Sequence, residues 1–296
     1  MPQFGNENLD VPSFDAKYMP VHVFGLIEYT AFCLPRSELS SSIQQPKAAE
    51  LNRLREKICV VKIRTHSPLD QHAENERRVH DLISRSGPGD DANKVLEGMF
   101  LPLTDHGTTN GFTWLVMEAF CPSLTLGALS RHAWDNTRAL QMPRAFVAHV
   151  FVELLDILET MHSQRRLAHG DLHVDQILID LNPGRERHKY PGIRIIDFDA
   201  AVLEETGGKG RFASTVNDDR TRFCDVIATL ADNQLPPSRD SQVTDHLSED
   251  WYVLRKSMWD EKPLSSGVEG TNVTLQEMRS RFGHLAEQVK SQASTE

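Results

Sequence analysis

No Cys-x-x-Cys pair occurs in this 296-residue chain. Its four cysteines, Cys33, Cys59, Cys121 and Cys224, are scattered, which removes the common zinc and dithiol motifs and leaves buried, reduced thiols as the expectation. Basic charge is also in short supply: 32 Lys and Arg stand against 42 Asp and Glu, for a formal charge of −10. A general nucleic-acid binder needs a basic footprint, so no nucleic-acid partner is expected. The acidic residues are spread out rather than gathered into a tail, and they serve solubility. Long apolar runs are missing too. The most apolar stretch, AFVAHVFVELLDILETM, is broken by His149, Glu153, Asp156 and Glu159. It is too short and too charged to span a bilayer, so no membrane partner is expected. The opening MPQFGNENLDVPSFD lacks the basic start and apolar middle of a signal peptide. The expected place of work is the cytoplasm or the nucleus.

What is present divides near residue 120. Residues 1–20 carry Pro, Asn and Asp with little periodicity and read as an arm. VHVFGLIEYTAFCL (21–34) reads as strand, and a polar linker follows it. KICVVKIRT (57–65) is a β-branched run typical of a strand buried on at least one face. Ser67, Pro68 and Asp70 form a helix-start signal, and Gly87-Pro88-Gly89 a stop. FLPLTDHGTTNGFTWLVMEAF then reads as strand, Asn-Gly turn, strand. Beyond Cys121-Pro122 the pattern becomes helical. A long helix opens at Pro143, two short strands are expected at QILID and IRIIDFD, and helices at about 219–232, 247–260 and 273–290. Trp251 and Trp259 on the second of these read as core packing. The small basic run GRERHK (184–189) reads as a solvated loop.

Four charged residues sit in unusual places: Lys62 inside an apolar strand, Glu76 on the next helix, Asp171 in LAHGDLHVDQILID, and Asp197 at the end of a strand in IIDFD. Each alone has an ordinary explanation. A strand lysine guards an edge, a helix glutamate is solvated, and an aspartate after a strand makes a turn. Their order is what carries meaning.

That order resembles the protein-kinase-like superfamily from about Val21 to Leu230. VVKIRT looks like the strand with the phosphate-binding lysine, and HAENERRVHDL like the helix that supplies its ion-pair partner. MHSQRRLAHGDLHVDQILID is similar to the catalytic loop, IIDFDAA to the metal-binding aspartate motif, and WLVMEAF to the hinge strand with Met117 in the gatekeeper place. The resemblance implies an α+β, two-lobed fold. An antiparallel-sheet N-lobe with one key helix (21–118) is followed by a hinge (119–122), a mainly helical C-lobe (123–290) and a tail (291–296). It implies ATP between the lobes against Met117, Glu118 and Phe120, with Lys62 on the α- and β-phosphates and Glu76 holding Lys62. Asp197, Gln176 and Asp199 would hold Mg²⁺. Asp171 would orient the acceptor hydroxyl or take its proton, with His169 bracing the loop and His173 beside it. Either Asp219 or Asp225 could be the aspartate that braces this loop from a later helix. The expected activity is phosphoryl transfer from ATP to a hydroxyl of a small molecule or of a protein Ser/Thr.

The chain also departs from the pattern. No G-x-G-x-x-G precedes the lysine strand, and VFGLIEYTAFCLP offers only Gly25. Gln176 stands where Asn is usual, and Asp199 where Gly is usual. About twenty residues separate Asp199 from the helix expected at Asp219, and no Ala-Pro-Glu lies among them. His-Gly-Asp-Leu-His is similar to the loop of aminoglycoside and choline phosphotransferases, which favours a small acceptor. The missing glycine loop motivates the alternative, a pseudokinase that acts as a scaffold. His22, His66, His106, His132, His149, His188, His246 and His284 share no metal spacing.

Overall fold

The computed structural model describes residues 16–24, 29–39, 48–65, 72–84, 100–109, 112–120, 123–135, 142–182, 190–232 and 274–293. Gly25, the Ser67–Asp70 helix start, the Gly87–Gly89 stop, Cys121, the 184–189 run and the helix expected at 247–260 with its two tryptophans lie outside them. The chain is mixed α+β and divides into two units: Met1–Ser84 with Leu101–Cys121, and Arg85–Phe100 with Pro122–Glu296.

The first unit holds β1 (Tyr18–Phe24), β2 (Tyr29–Pro35), α1 (Ala48–Arg55), β3 (Cys59–Thr65), α2 (His72–Ser84), β4 (Leu103–Thr109) and β5 (Phe112–Glu118). The strands form one antiparallel sheet in the order β1-β2-β3-β5-β4. The run read as a single strand at 21–34 is in fact two strands. His22 pairs with Phe32, so the segment folds back on itself. An alternating pattern records faces, not reversals of direction, which is why the turn was invisible. β1 also reaches back to Tyr18, into residues read as an arm.

Directly opposed residues share a face of a sheet. Ala31, Cys33, Cys59, Val61, Ile63, Trp114 and Val116 pack on one face with Tyr18. Full burial of each large side chain there contributes about 1.5–3 kcal/mol. The Trp114 ring lies where a side chain on Gly107 would begin: an added Cβ would come within 2.5 Å of Trp114 Cζ2. Cys33 and Cys59 are buried free thiols opposite one another. Burial pushes the first up to about 12 and the second to about 11, so neither is a nucleophile. The other face presents Val60 and Lys62 opposite Met117 and Leu115.

The second unit is built on α4 (Arg144–Glu159), preceded by β6 (Ser123–Thr125) and α3 (Leu126–Asp135). Sequence periodicity gave no sign of α3. Residues 145–155 of α4 are buried without a break, as in a helix covered on every side. The helix runs on through a π-helical turn, Thr160–Gln164. β7 (Leu167–Ala168), β8 (Ile177–Asp180), β9 (Gly192–Ile195) and β10 (Val202–Leu203) follow; β6-β8-β9 form one small antiparallel sheet and β7-β10 another. Next comes α5 (Glu204–Asp232), and then α6 (Leu275–Met278) and α7 (His284–Ala293), joined by a π-helical turn. Thr274 and Glu277 cap α6 reciprocally.

The sequence reading started α5 near Asp219, whereas it starts at Glu204. Gly207, Gly208 and Gly210 lower the helix propensity of its first turns, and Gly208 breaks the helical dihedrals at φ 75°. Among the described residues no helix is long and apolar enough to cross a membrane.

Candidate functional site

The sequence-selected residues fall into two groups, one in each unit. In the first unit Lys62 sits at the middle of β3, hydrogen-bonded on one side to β2 and on the other to β5. It is therefore not an edge lysine, and the ordinary explanation fails. Its Nζ donates to Glu76 Oε1 at 2.8 Å, with the glutamate side chain fully buried and the lysine 11 % exposed. The neighbouring Glu74 instead binds Arg77 and Arg78 along the helix surface, and these guanidinium groups hold its carboxyl down to about 2. Glu76 Oε2 is buried with no hydrogen-bond partner among the described residues. A half-satisfied buried carboxylate costs free energy. The arrangement is thus poorly explained by stability alone.

His80 lies one turn along α2 and is buried. Burial depresses its pKa; the Lys62 charge adds to this and the Glu76 charge opposes it. The sign follows from linkage. The unfolded ring takes up a proton near pH 6.5, and the folded ring only at lower pH. The stability from neutral His80 is therefore complete above about pH 6.5 and is lost as pH falls below it. In His80→Leu the urea midpoint should fall less between neutral and mildly acid buffer than in the parent chain, with m unchanged. Met117 and Phe120 are buried, and Glu118 closes β5 with its N–H donating to Pro102 O at 3.0 Å.

In the second unit the polar loop follows β7. His169 is fully buried. Its Nε2 donates to Ile196 O at 3.0 Å, and its Nδ1 accepts from Asp171 N at 3.2 Å. Those two bonds fix the neutral tautomer and tie the loop to the residue before Asp197. The imidazole also meets the Phe198 ring at 5.1 Å. Gly170 has φ 85°, and an added Cβ would lie 2.4 Å from Ala200 O. Only glycine fits there.

Asp219 on α5 resolves the choice left open by the sequence. Its Oδ2 accepts from His169 N at 2.7 Å and from His162 Nε2 at 2.9 Å, and its Oδ1 accepts from Gly170 N at 2.9 Å. Asp225 takes no part in these bonds. With its backbone fixed on both sides, Asp171 presents a half-exposed carboxylate, 3.7 Å from His173 Nε2. His173 Nδ1 in turn accepts from Asp175 N at 3.2 Å.

Gln176 Nε2 donates to Asp197 Oδ2 at 2.8 Å, and Ile196 N donates to Gln176 O at 3.0 Å. Asp197 has φ 68°, a conformation a non-glycine residue keeps only where its surroundings impose it. Asp199 lies half-buried in the turn that follows. Among the described residues no three His, Cys, Asp or Glu side chains gather as a metal site. Mg²⁺ does not require such a cluster: one or two carboxylates suffice when waters and phosphates complete its octahedron. The hard oxygens of Asp197 and Asp199 fit that chemistry, whereas Gln176 turns its amide nitrogen toward Asp197 and would have to reverse its amide to offer oxygen.

Sequence reasoning did not select His162, Gly170 or the pair Arg166–Glu204. Arg166 has φ 52° and forks onto Glu204 through Nε and Nη2, both at 2.7 Å. The only available signal was glycine between His169 and Asp171. No protein-family model matches the chain, and no curated protein matches it.

Proposed function

We propose that the chain is an ATP-dependent phosphotransferase of the protein-kinase-like kind. The observation that carries this is the Asp171 loop: a half-exposed carboxylate on backbone fixed by a buried histidine and a buried aspartate. Such a group can orient a hydroxyl and take its proton as the new O–P bond forms and the γ-phosphate leaves ADP. Lys62, held by Glu76, offsets charge on the α- and β-phosphates, while Met117, Glu118 and Phe120 contact the base. Asp197, Gln176 and Asp199 would hold Mg²⁺, which when bound supplies positive charge to the phosphates.

The acceptor we favour is a small-molecule hydroxyl, with a protein Ser/Thr as the other candidate. Glu204, the first residue of α5, follows Asp199 by five positions, so this stretch has no length for a peptide-docking segment. A scaffold role is the second reading. It is favoured by the Gln176 amide nitrogen bonded to Asp197 Oδ2 and by the missing glycine loop.

The test is a thermal shift with ATP and Mg²⁺, with ATP and EDTA, and with Asp197→Ala. The expected result is a metal-dependent rise in Tm that Asp197→Ala loses, because a ligand stabilises only as far as it binds the folded state. No rise at millimolar ATP contradicts the proposal. Folded Asp171→Asn should keep the rise and lose phosphoryl transfer; if it retains cellular function, the scaffold reading stands instead.

A further inference from the structure

The neighbours of His173, two positions after Asp171, set where its ring carries a proton. Its Nδ1 accepts from Asp175 N at 3.2 Å and so caps the 3₁₀ turn Val174–Gln176. A ring nitrogen that accepts holds no proton, so in the neutral imidazole the proton sits on Nε2. That nitrogen lies 3.7 Å from Asp171 Oδ2. The separation is too long for a direct hydrogen bond. His173 is 40 % exposed and Asp171 52 %, so a molecule in solution can reach both. A donor and an acceptor thus stand side by side without satisfying one another.

The pair is held from both ends. Asp171 N donates to His169 Nδ1 at 3.2 Å, and Gly170 N donates to Asp219 Oδ1 at 2.9 Å. On the other side the Asp175 carboxylate takes a fork from Arg131, at 2.9 and 3.2 Å. It rests against Gly127 of α3, where any side chain would collide with Oδ1. The chemistry between two such fixed atoms is selective. One oxygen set between them can lie about 2.8 Å from each. It must donate to the carboxylate and accept from the N–H. A hydroxyl does both at a single atom. An ammonium only donates and a carboxylate only accepts, so either would leave one partner unmet.

We propose that His173 is a further catalytic residue of the phosphotransferase, its Nε2–H and Asp171 Oδ2 together bracketing the acceptor hydroxyl. This inference rests on the reading of the Asp171 loop as catalytic. The hydroxyl donates to Asp171, accepts from His173 and keeps its remaining lone pair for the γ-phosphorus of ATP. As the new O–P bond forms, the bond from the γ-phosphorus to the ADP oxygen breaks. The hydroxyl proton passes to Asp171 and afterwards to water. His173 moves no proton; it fixes which lone pair faces the phosphorus. The acceptor class that follows is an alcohol. Water, with the same donor and acceptor on one atom, is the smallest occupant.

Two substitutions separate the bracket from the cap. His173→Asn keeps an acceptor for Asp175 N, because Asn is a favoured cap, but its side chain stops short of the Nε2 position. His173→Gln reaches that position with an amide N–H and loses the close acceptor. The full chain is incubated with ATP, Mg²⁺ and methanol, and inorganic phosphate and methyl phosphate are followed by ³¹P NMR above the Asp171→Asn background. The parent should form both. His173→Asn should keep the parent Tm and the ATP-dependent thermal shift and lose about tenfold in both products, on the scale of one hydrogen bond. His173→Gln should have the lower Tm and the higher rate of the two. The inference is overturned if His173→Asn turns over at the parent rate, or if the rates simply follow Tm across the variants. It is overturned too, with nucleotide binding left standing, if the parent shows the ATP shift but forms neither product. Absence of the ATP shift in the parent sinks the phosphotransferase reading itself, and this inference with it.

Discussion

Lys62→Met should lower folding stability by about 3–5 kcal/mol, the usual consequence of leaving one member of a buried ion pair alone. Glu76 has no solvent exposure, and both its carboxylate oxygens stand without a hydrogen-bond partner among the described residues once the lysine is gone. Glu76→Leu alone should cost somewhat less, because the Lys62 side chain retains 11 % exposure and can turn its ammonium toward water. The double variant Lys62→Met/Glu76→Leu should recover most of the loss, since a buried pair replaced by apolar side chains of similar volume is often neutral. Urea denaturation with unchanged m values measures all three. The ATP-dependent thermal shift should be absent in every one of them. A stable double variant without that shift separates the pair's binding role from its structural one. Were Lys62→Met to cost under about 1 kcal/mol, the pair would behave as a surface pair does.

Asp219→Ala is the second large effect. Three donors lose their acceptor at once: His169 N, Gly170 N and His162 Nε2. An unsatisfied buried donor costs about 1–3 kcal/mol, so the variant should lose roughly 4 kcal/mol after partial relaxation. Asp219→Asn should recover only part, because its NH₂ group would face one of the three donors. Hydrogen exchange gives the local readout. The His169 and Gly170 amides should exchange at the rate of an exposed loop in Asp219→Ala and stay protected in Asp225→Ala. Protection that persists in Asp219→Ala would contradict the bracing role.

The comparison between sequence and fold is uneven for physical reasons. Residue 62 stood out because a charge inside a β-branched run conflicts with burial unless it is paired, and the partner fourteen positions later lay on the next amphipathic segment. The α6–α7 region was legible from its apolar spacing. The early start of α5 was not, because glycines mask helix periodicity while tertiary contacts still enforce the helix. The choice between Asp219 and Asp225 was undecidable from the chain, since the two lie on different faces of one helix and only packing tells which face meets the loop. His162 was not singled out in the sequence. Its meaning depends on the orientation of two ring nitrogens, which spacing does not encode.

The Arg166–Glu204 fork has a consequence for how the molecule opens. Those residues are 38 positions apart, and Glu204 N also donates to Arg166 O at 2.9 Å, with the β7–β10 ladder just inside them. Together they tie a neck. Everything threaded through it, from the Asp171 loop to Asp197, belongs to one closed ring of chain whose entropy is already reduced by the tie. Opening this neck would lengthen the free chain on both sides of the two acids at once, so the stretch that carries them regains entropy as a whole.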